Sequence, residues 1–293
     1  MFPMVKWEKI TIGVFILLNF KNLDVLIDLA LSEDLGSDGD VTGNAIFSEE
    51  LYSFRLISKD EGILCGIDVF EYVFHRIDKD LKIKKFSIDG NKIRKGDIIS
   101  EVSGKVSSIL AGERTALNFI SHLSAIATKT SIFVEEAAGK VKILDTRKTL
   151  PGYRELHKYA VRCGGGQNHR MGLFDMVMIK DNHIDAAGGI TQAVDKVRAR
   201  WGNKYKIEVE TRNLQEVKEA IAAGADIIML DNMDDETMKK AVELINKKAL
   251  VEASGNMTLE RIKSVAQTGV DFISFGELTN SVKAFDFSLK EVK

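Results

Sequence analysis

Six short apolar runs, each ended by a polar or charged residue, follow one another between residues 141 and 275. They cover 141–144 before Asp145-Thr146-Arg147, 176–179 before Lys180, 207–209 before Glu210, and 227–230 before Asp231. The last two cover 250–252 before Ser254-Gly255, and 272–275 before Gly276. Helical patterns fill most of the gaps, for example 190–200 and 214–223. Strands that alternate with helices build a parallel sheet with right-handed crossovers. Six or so such units suit a closed or nearly closed β/α barrel better than an open sheet. One unit repeats weakly: residues 213–232 align with 258–277, setting Leu214 on Leu259, Gly224 on Gly269 and Asp226 on Asp271. In such barrels chemistry sits at the C-terminal ends of the strands. Here those ends carry Arg147, Lys148, Lys180, Glu210 and Asp231.

The chain ahead of this pattern has a different texture. Residues 51–107 read as strands and turns, with one helix near 68–76, and form a plausible α+β unit. Residues 111–139 are Ala-rich and apolar at helical spacing, and are expected to link the two parts. LDVLIDLAL, from Leu23, reads as a helix that runs out into the Gly/Asp/Ser-rich loop SEDLGSDGDVTG. A chain of 293 residues agrees with about two domains of ~150 residues each. The expected division is a doubtful extension at 1–19, an N-terminal α/β domain at 20–125 and a barrel at 126–276. Residues 277–293 are expected to return to the N-terminal domain.

Residues 10–18, ITIGVFILL, follow Lys6 and Lys9 in the manner of a signal peptide. The run is shorter than the ~20 apolar residues of a membrane span, and no small-x-small cleavage site follows. It is expected to be a mistaken upstream start or a lineage-specific addition. Two distant cysteines, Cys65 and Cys163, form no CxxC pair or disulfide framework, which points to a reducing, cytoplasmic setting.

The formal net charge is −2, which excludes a basic nucleic-acid coat as the main theme. Its distribution is uneven. Residues 145–183 hold seven Arg or Lys against four Asp or Glu, a local +3, while 208–235 hold eight acids against two bases, a local −6. Arg154 and Lys158, on a predicted helix, read as solvated. The other cations lie at strand ends or in Gly-rich context, where arginine's planar fork suits carboxylates and phosphates. Two carboxylates across a barrel mouth suit Mg²⁺, usually held by one or two carboxylates and substrate phosphates. They could instead orient sugar hydroxyls.

DTRKTLPGYRELHKYAVRCGGGQNHRMGLFDMVMIKDNHI, residues 145–184, resembles the quinolinate phosphoribosyltransferase family. SEDLGSDGDVTGNAIF, ERTALNF, IEVE, GADIIMLDNM and VEASGNM extend the resemblance over roughly residues 19–289. It implies an α/β fold with an N-terminal α/β sandwich domain and an incomplete, six- or seven-stranded β/α barrel. It implies a cytoplasmic homodimer, or a higher oligomer, in which each subunit completes its partner's site. The implied reaction joins quinolinate to phosphoribosyl pyrophosphate with Mg²⁺. Its products are nicotinate mononucleotide, pyrophosphate and CO₂, a step of NAD biosynthesis, with no role for nucleic acid or membrane.

By the same resemblance Arg147, His169, Arg170 and Lys180 bind quinolinate, and Arg114 reaches in from the other subunit. Lys148, Glu210 and Asp231 are the catalytic residues and handle ribose, pyrophosphate and metal, Glu210 and Asp231 holding Mg²⁺ directly or indirectly. Ser254, Gly255, Asn256 and Gly276 hold the 5′-phosphate. Asn280 stands where many relatives carry His. Glu208 is expected on the opposite strand face from Glu210, in a structural role. His122, His183 and Cys163 are also expected to be structural. The glycines at 164–166 are expected to let the chain turn tightly toward His169 and Arg170. Two other readings compete: the related protein encoded with molybdate transporters, and a non-catalytic ligand-binding barrel. The IKDNH segment speaks against the first, and Lys148, Glu210 and Asp231 speak against the second.

Overall fold

The computed structural model describes residues 23–292. The expected extension at 1–19 and its apolar run lie outside the described residues. The first part of the chain contributes helices α1 (Leu23–Leu35), α2 (Val41–Ile46) and α3 (Ile67–Ile77). Its strands are β1 (Leu51–Ser58), β2 (Gly62–Ile63), β3 (Lys82–Lys85), β4 (Lys92–Ile93) and β5 (Ile98–Lys105). Helix α4 (Val106–Ala137) follows. The alternating part runs β6 (Lys142–Leu144), α5 (Arg154–Cys163), β7 (Val177–Ile179), α6 (Asp181–Ala187), α7 (Ile190–Trp201) and β8 (Ile207–Thr211). It continues with α8 (Leu214–Ala222), β9 (Ile227–Asp231), α9 (Asp235–Ile245), β10 (Leu250–Ser254), α10 (Ile262–Ala266), β11 (Phe272–Ser274), α11 (Glu277–Asn280) and β12 (Phe287–Glu291).

All six predicted barrel strands form. They make one parallel sheet in the order β6-β11-β10-β9-β8-β7. β6 and β7 are its free edges, so the barrel is incomplete. The segment 164–176 links those edges and bridges to β6 at Leu144–Gln167. This gap matters for the site, because the linking segment carries His169 and Arg170. Gly164 fits there because a Cβ would lie 2.3 Å from the Ala127 carbonyl of α4.

The N-terminal sheet is antiparallel, in the order β12-β1-β5-β3. Its outer strand β12 comes from the far end of the chain and pairs with β1 from Phe54–Glu291 to Ser58–Phe287. α3 buries Ile67, Phe70, Val73 and Phe74, a spacing that lines one face of a helix. It packs on α4, where Gly112 lets Phe74 and Ile77 approach closely. α4 is one 32-residue helix that also packs against α5, β6 and α10. Among the described residues no helix is long and apolar enough to cross a membrane.

Two details depart from expectation. The Gly/Asp loop contains α2, capped by the Asp40 carboxylate, which accepts from the Thr42 and Gly43 amides. Asp40 is a strong N-cap residue, and that signal outweighs the surrounding turn formers. Lys158 is also not solvated. It is fully buried on α5 and paired with the equally buried Asp145.

Candidate active site

The strand ends surround a cavity of about 720 Å³. Arg147, Lys148, His169, Arg170, Lys180, Glu210, Asp231, Ser254, Gly255, Asn256 and Gly276 all line it. All but His169 and Arg170 come from six separate strand ends or the loops after them; those two lie on the 164–176 segment between α5 and β7. The fold thus gathers eleven of the twelve singled-out residues. Arg114 is the exception: it is exposed on α4 and does not line this chain's own cavity.

The cationic side is built on a buried anchor. Asp145 ends β6, and its carboxylate accepts from Lys158 Nζ, from the His169 amide at 2.8 Å and from Asn168 Nδ2 at 2.6 Å. Lys158 also donates to the His169 carbonyl at 2.9 Å. Burial pushes the Asp145 carboxyl up and the Lys158 ammonium down, while their mutual attraction opposes both. This pair fastens the 164–176 segment to the barrel. Arg147 and Arg170 then face the cavity. Arg170 Nη1 donates to the Met176 carbonyl at 3.2 Å. The Arg147 Nε is buried without a hydrogen-bond partner, and neither arginine has an ion pair among the described residues. Burial, then the Arg147 charge, presses the Arg170 guanidinium below its usual range. Two unpaired, partly desolvated guanidinium groups side by side favour an anion.

The acidic side lies on β8 and β9. Glu210 and Asp231 both face the cavity, since Glu210 registers with Met229 and Asp231 is two residues further along the same face. Glu210 is paired with Lys180 across the rim. Asp231 Oδ2 accepts from Asn232 Nδ2 at 2.8 Å. Lys148 is exposed, and its carbonyl accepts from the Thr279 hydroxyl at 2.8 Å. Its side chain crosses Gly276, where a Cβ would sit 2.7 Å from Lys148 Cδ. On the neighbouring loop Ser254 Oγ accepts from Ser274 Oγ at 3.1 Å, and Asn256 Nδ2 donates to Asn232 Oδ1 at 2.9 Å. Asn280 lines the cavity beside Gly276.

Glu208 requires a correction. Residues two apart on a strand share a face, so Glu208 lies on the same face as Glu210, one layer deeper. It is fully buried and 3.1 Å from His169 Nε2. Glu252 of β10, 1% exposed, lies 3.4 Å from the same nitrogen. Burial first, then the Glu252 charge, pushes the Glu208 carboxyl up to about 7, against the opposing pull of His169. Sequence reasoning missed Glu252; its signal was its position two residues before Ser254. The other residues read as structural are placed as follows. His183 Nδ1 accepts from the Lys180 amide at 3.0 Å at the start of α6. His122 meets His157 at 2.9 Å, Nε2 to Nε2, between α4 and α5. Burial, then the neighbouring His122, pushes His157 down to about 3. Cys163 and the buried Cys65 are both free thiols.

A parallel barrel with its polar residues gathered at the C-terminal ends of its strands belongs with the β/α-barrel enzymes, whose sites lie at that end. Sequence comparison narrows this. Residues 40–124 match the N-terminal domain, and residues 126–290 the C-terminal domain, of quinolinate phosphoribosyl transferase. The chain is 47% identical to the chloroplastic nicotinate-nucleotide pyrophosphorylase [carboxylating] of Arabidopsis thaliana, over 92% of this chain and 82% of that protein. It is 43% identical to the probable nicotinate-nucleotide pyrophosphorylase [carboxylating] of Bacillus subtilis, over 93% and 94%. The structure resembles that of the Francisella tularensis nicotinate-nucleotide pyrophosphorylase, with a TM-score of 0.89 at 44% identity, covering 93% and 96%. The chain therefore belongs to the quinolinate phosphoribosyl transferase family.

Proposed function

We propose that this chain transfers the phosphoribosyl group of phosphoribosyl pyrophosphate to quinolinate and releases CO₂, forming nicotinate mononucleotide for NAD biosynthesis. The observation that carries this reading is the Arg147–Arg170 pair, which faces the cavity with no ion pair among the described residues. Quinolinate has two adjacent carboxylates, which repel one another and need separate donors. Arg147, Arg170 and Lys180 supply them, with His169 beside them. Lys180 has three donors, so it can hold Glu210 and a substrate carboxylate together.

The phosphoribosyl end occupies the other half of the cavity. Ser254, Gly255, Asn256 and Gly276 take the 5′-phosphate, and Lys148 steadies the pyrophosphate as it leaves. Positive charge develops on the ribose as the C–O bond breaks. Glu210 and Asp231 face that charge and lower the barrier electrostatically. The ring nitrogen forms the new bond. Loss of CO₂ then leaves its electron pair on the adjacent ring carbon, stabilised by the pyridinium charge, and that carbon takes a proton from water. Glu210 and Asp231 are an all-oxygen donor set open to the cavity, which fits Mg²⁺. When bound there, Mg²⁺ would neutralise pyrophosphate charge.

Mixing the protein with Mg²⁺, phosphoribosyl pyrophosphate and either quinolinate or nicotinate tests the reading. CO₂ release with quinolinate, and no turnover of nicotinate, is expected. Turnover of nicotinate, or of neither, would exclude it.

The same reading makes the working unit a homodimer in the cytoplasm. Arg114 is exposed away from its own cavity, as a residue acting in a partner's site would be. Leu173 and Phe174, on the segment that carries Arg170, are 75% and 71% exposed, an apolar rim suited to a second copy. Mixing Arg114→Ala with Lys180→Ala subunits is expected to regenerate active sites, because some heterodimer sites then receive both native residues. Subunit exchange without recovered activity would show that Arg114 does not act in trans.

A further inference from the structure

The two glutamates beneath His169 have no place in the phosphoribosyl transfer described above. Glu208 and Glu252 come from β8 and β10, on either side of β9, and converge inside the barrel. Their side chains are 0% and 1% exposed, against 7% for His169. Each carboxylate lies within ion-pair distance of His169 Nε2, but none of their four oxygens accepts a hydrogen bond of good geometry among the described residues. Buried carboxylates without donors are costly, and here the imidazole is the group placed to compensate them.

The other ring nitrogen fixes the proton's position. The Arg170 amide is 2.6 Å from His169 Nδ1 and donates to it. That contact needs a lone pair on Nδ1, so a ring proton belongs on Nε2, facing the glutamates. Burial alone would depress His169, yet the two glutamates hold it up. In either ring form Nε2 carries a proton, within ion-pair distance of Glu208 and Glu252. Both ring nitrogens thus face protein groups, Nδ1 the Arg170 amide and Nε2 the two glutamates.

We propose that Glu208 and Glu252 are positioning residues for quinolinate: they grip His169 through Nε2 and so set its neighbour Arg170 in the carboxylate pocket. His169 then acts on quinolinate through Arg170. This rests on the quinolinate reading of the cavity. Glutamine at both positions keeps the volume but removes the charge that orients the ring.

The test is the Glu208→Gln/Glu252→Gln variant, with quinolinate and phosphoribosyl pyrophosphate varied separately. The KM for quinolinate is expected to rise about tenfold or more, the effect of losing roughly 1.4 kcal/mol or more. The KM for phosphoribosyl pyrophosphate should stay within about twofold. In parallel, ¹⁵N NMR of the His169 ring in the ligand-free protein should place the proton on Nε2 in the wild type and shift that signal in the variant. An unchanged quinolinate KM, equal rises for both substrates, or an unmoved ring signal would overturn the proposal. If the double variant does not fold, Glu252→Gln alone, which leaves Glu208 in place, gives the same two readouts. The NMR arm needs no substrate, so failure of the quinolinate reading is distinguishable from failure of the clamp.

Discussion

Lys158→Ala is expected to destabilise the fold by about 3–5 kcal/mol, the usual cost of removing one partner of a buried ion pair. The melting temperature should fall on the order of 10 °C, at about 2–4 °C per kcal/mol for domains near this size. The reason lies in Asp145. Its carboxylate ends β6 inside the barrel and accepts from Lys158, Asn168 and the His169 amide. Without the ammonium, a buried carboxylate must stay charged and unpaired or take up a proton, and both cost free energy. The paired variant Asp145→Asn/Lys158→Met removes both charges, and should recover much of the loss. Thermal melts of the three proteins check this. A single variant that melts within about 2 °C of wild type would mean a loss under about 1 kcal/mol, and so that the pair contributes little.

Arg147→Ala is expected to raise the KM for quinolinate by about 10–100-fold, since a hydrogen bond between charged groups contributes about 1.5–3 kcal/mol. The KM for phosphoribosyl pyrophosphate should move by no more than about threefold, because Arg147 is assigned to the other half of the cavity. Among the described residues the guanidinium has no ion-pair partner to release, so its interaction is available to the substrate. Arg147→Lys should recover only part of the loss, because an ammonium lacks the planar fork. Steady-state kinetics with each substrate varied in turn measures both effects. Equal losses for the two substrates would show that the cavity is not divided in this way.

The barrel was legible because its strands announce themselves twice. Each is a short apolar run, and each ends in a residue that makes sense only at a mouth. Arg147, Lys180, Glu210 and Asp231 were found by that rule alone, before any resemblance was considered. What lay deeper was harder to read. Glu208 differs: a period of two was legible and puts it on the same face as Glu210, so the expectation of an opposite face misapplies that period. Lys158 looked solvated because helical lysines usually are, and only the fold brings Asp145 against it. β12 carries a short alternation at Phe287 and Leu289, but nothing local names β1 as its partner. For Arg114, the helix was predictable, whereas its role depends on a second copy of the chain.

The pairing of β12 with β1 also sets an order of events during synthesis. β1 is made before the barrel, yet one of its two neighbours, β12, follows only after every barrel strand. Until the barrel has been translated, the N-terminal sheet carries an open strand edge beside it. A sheet begun before the barrel is thus completed only after it.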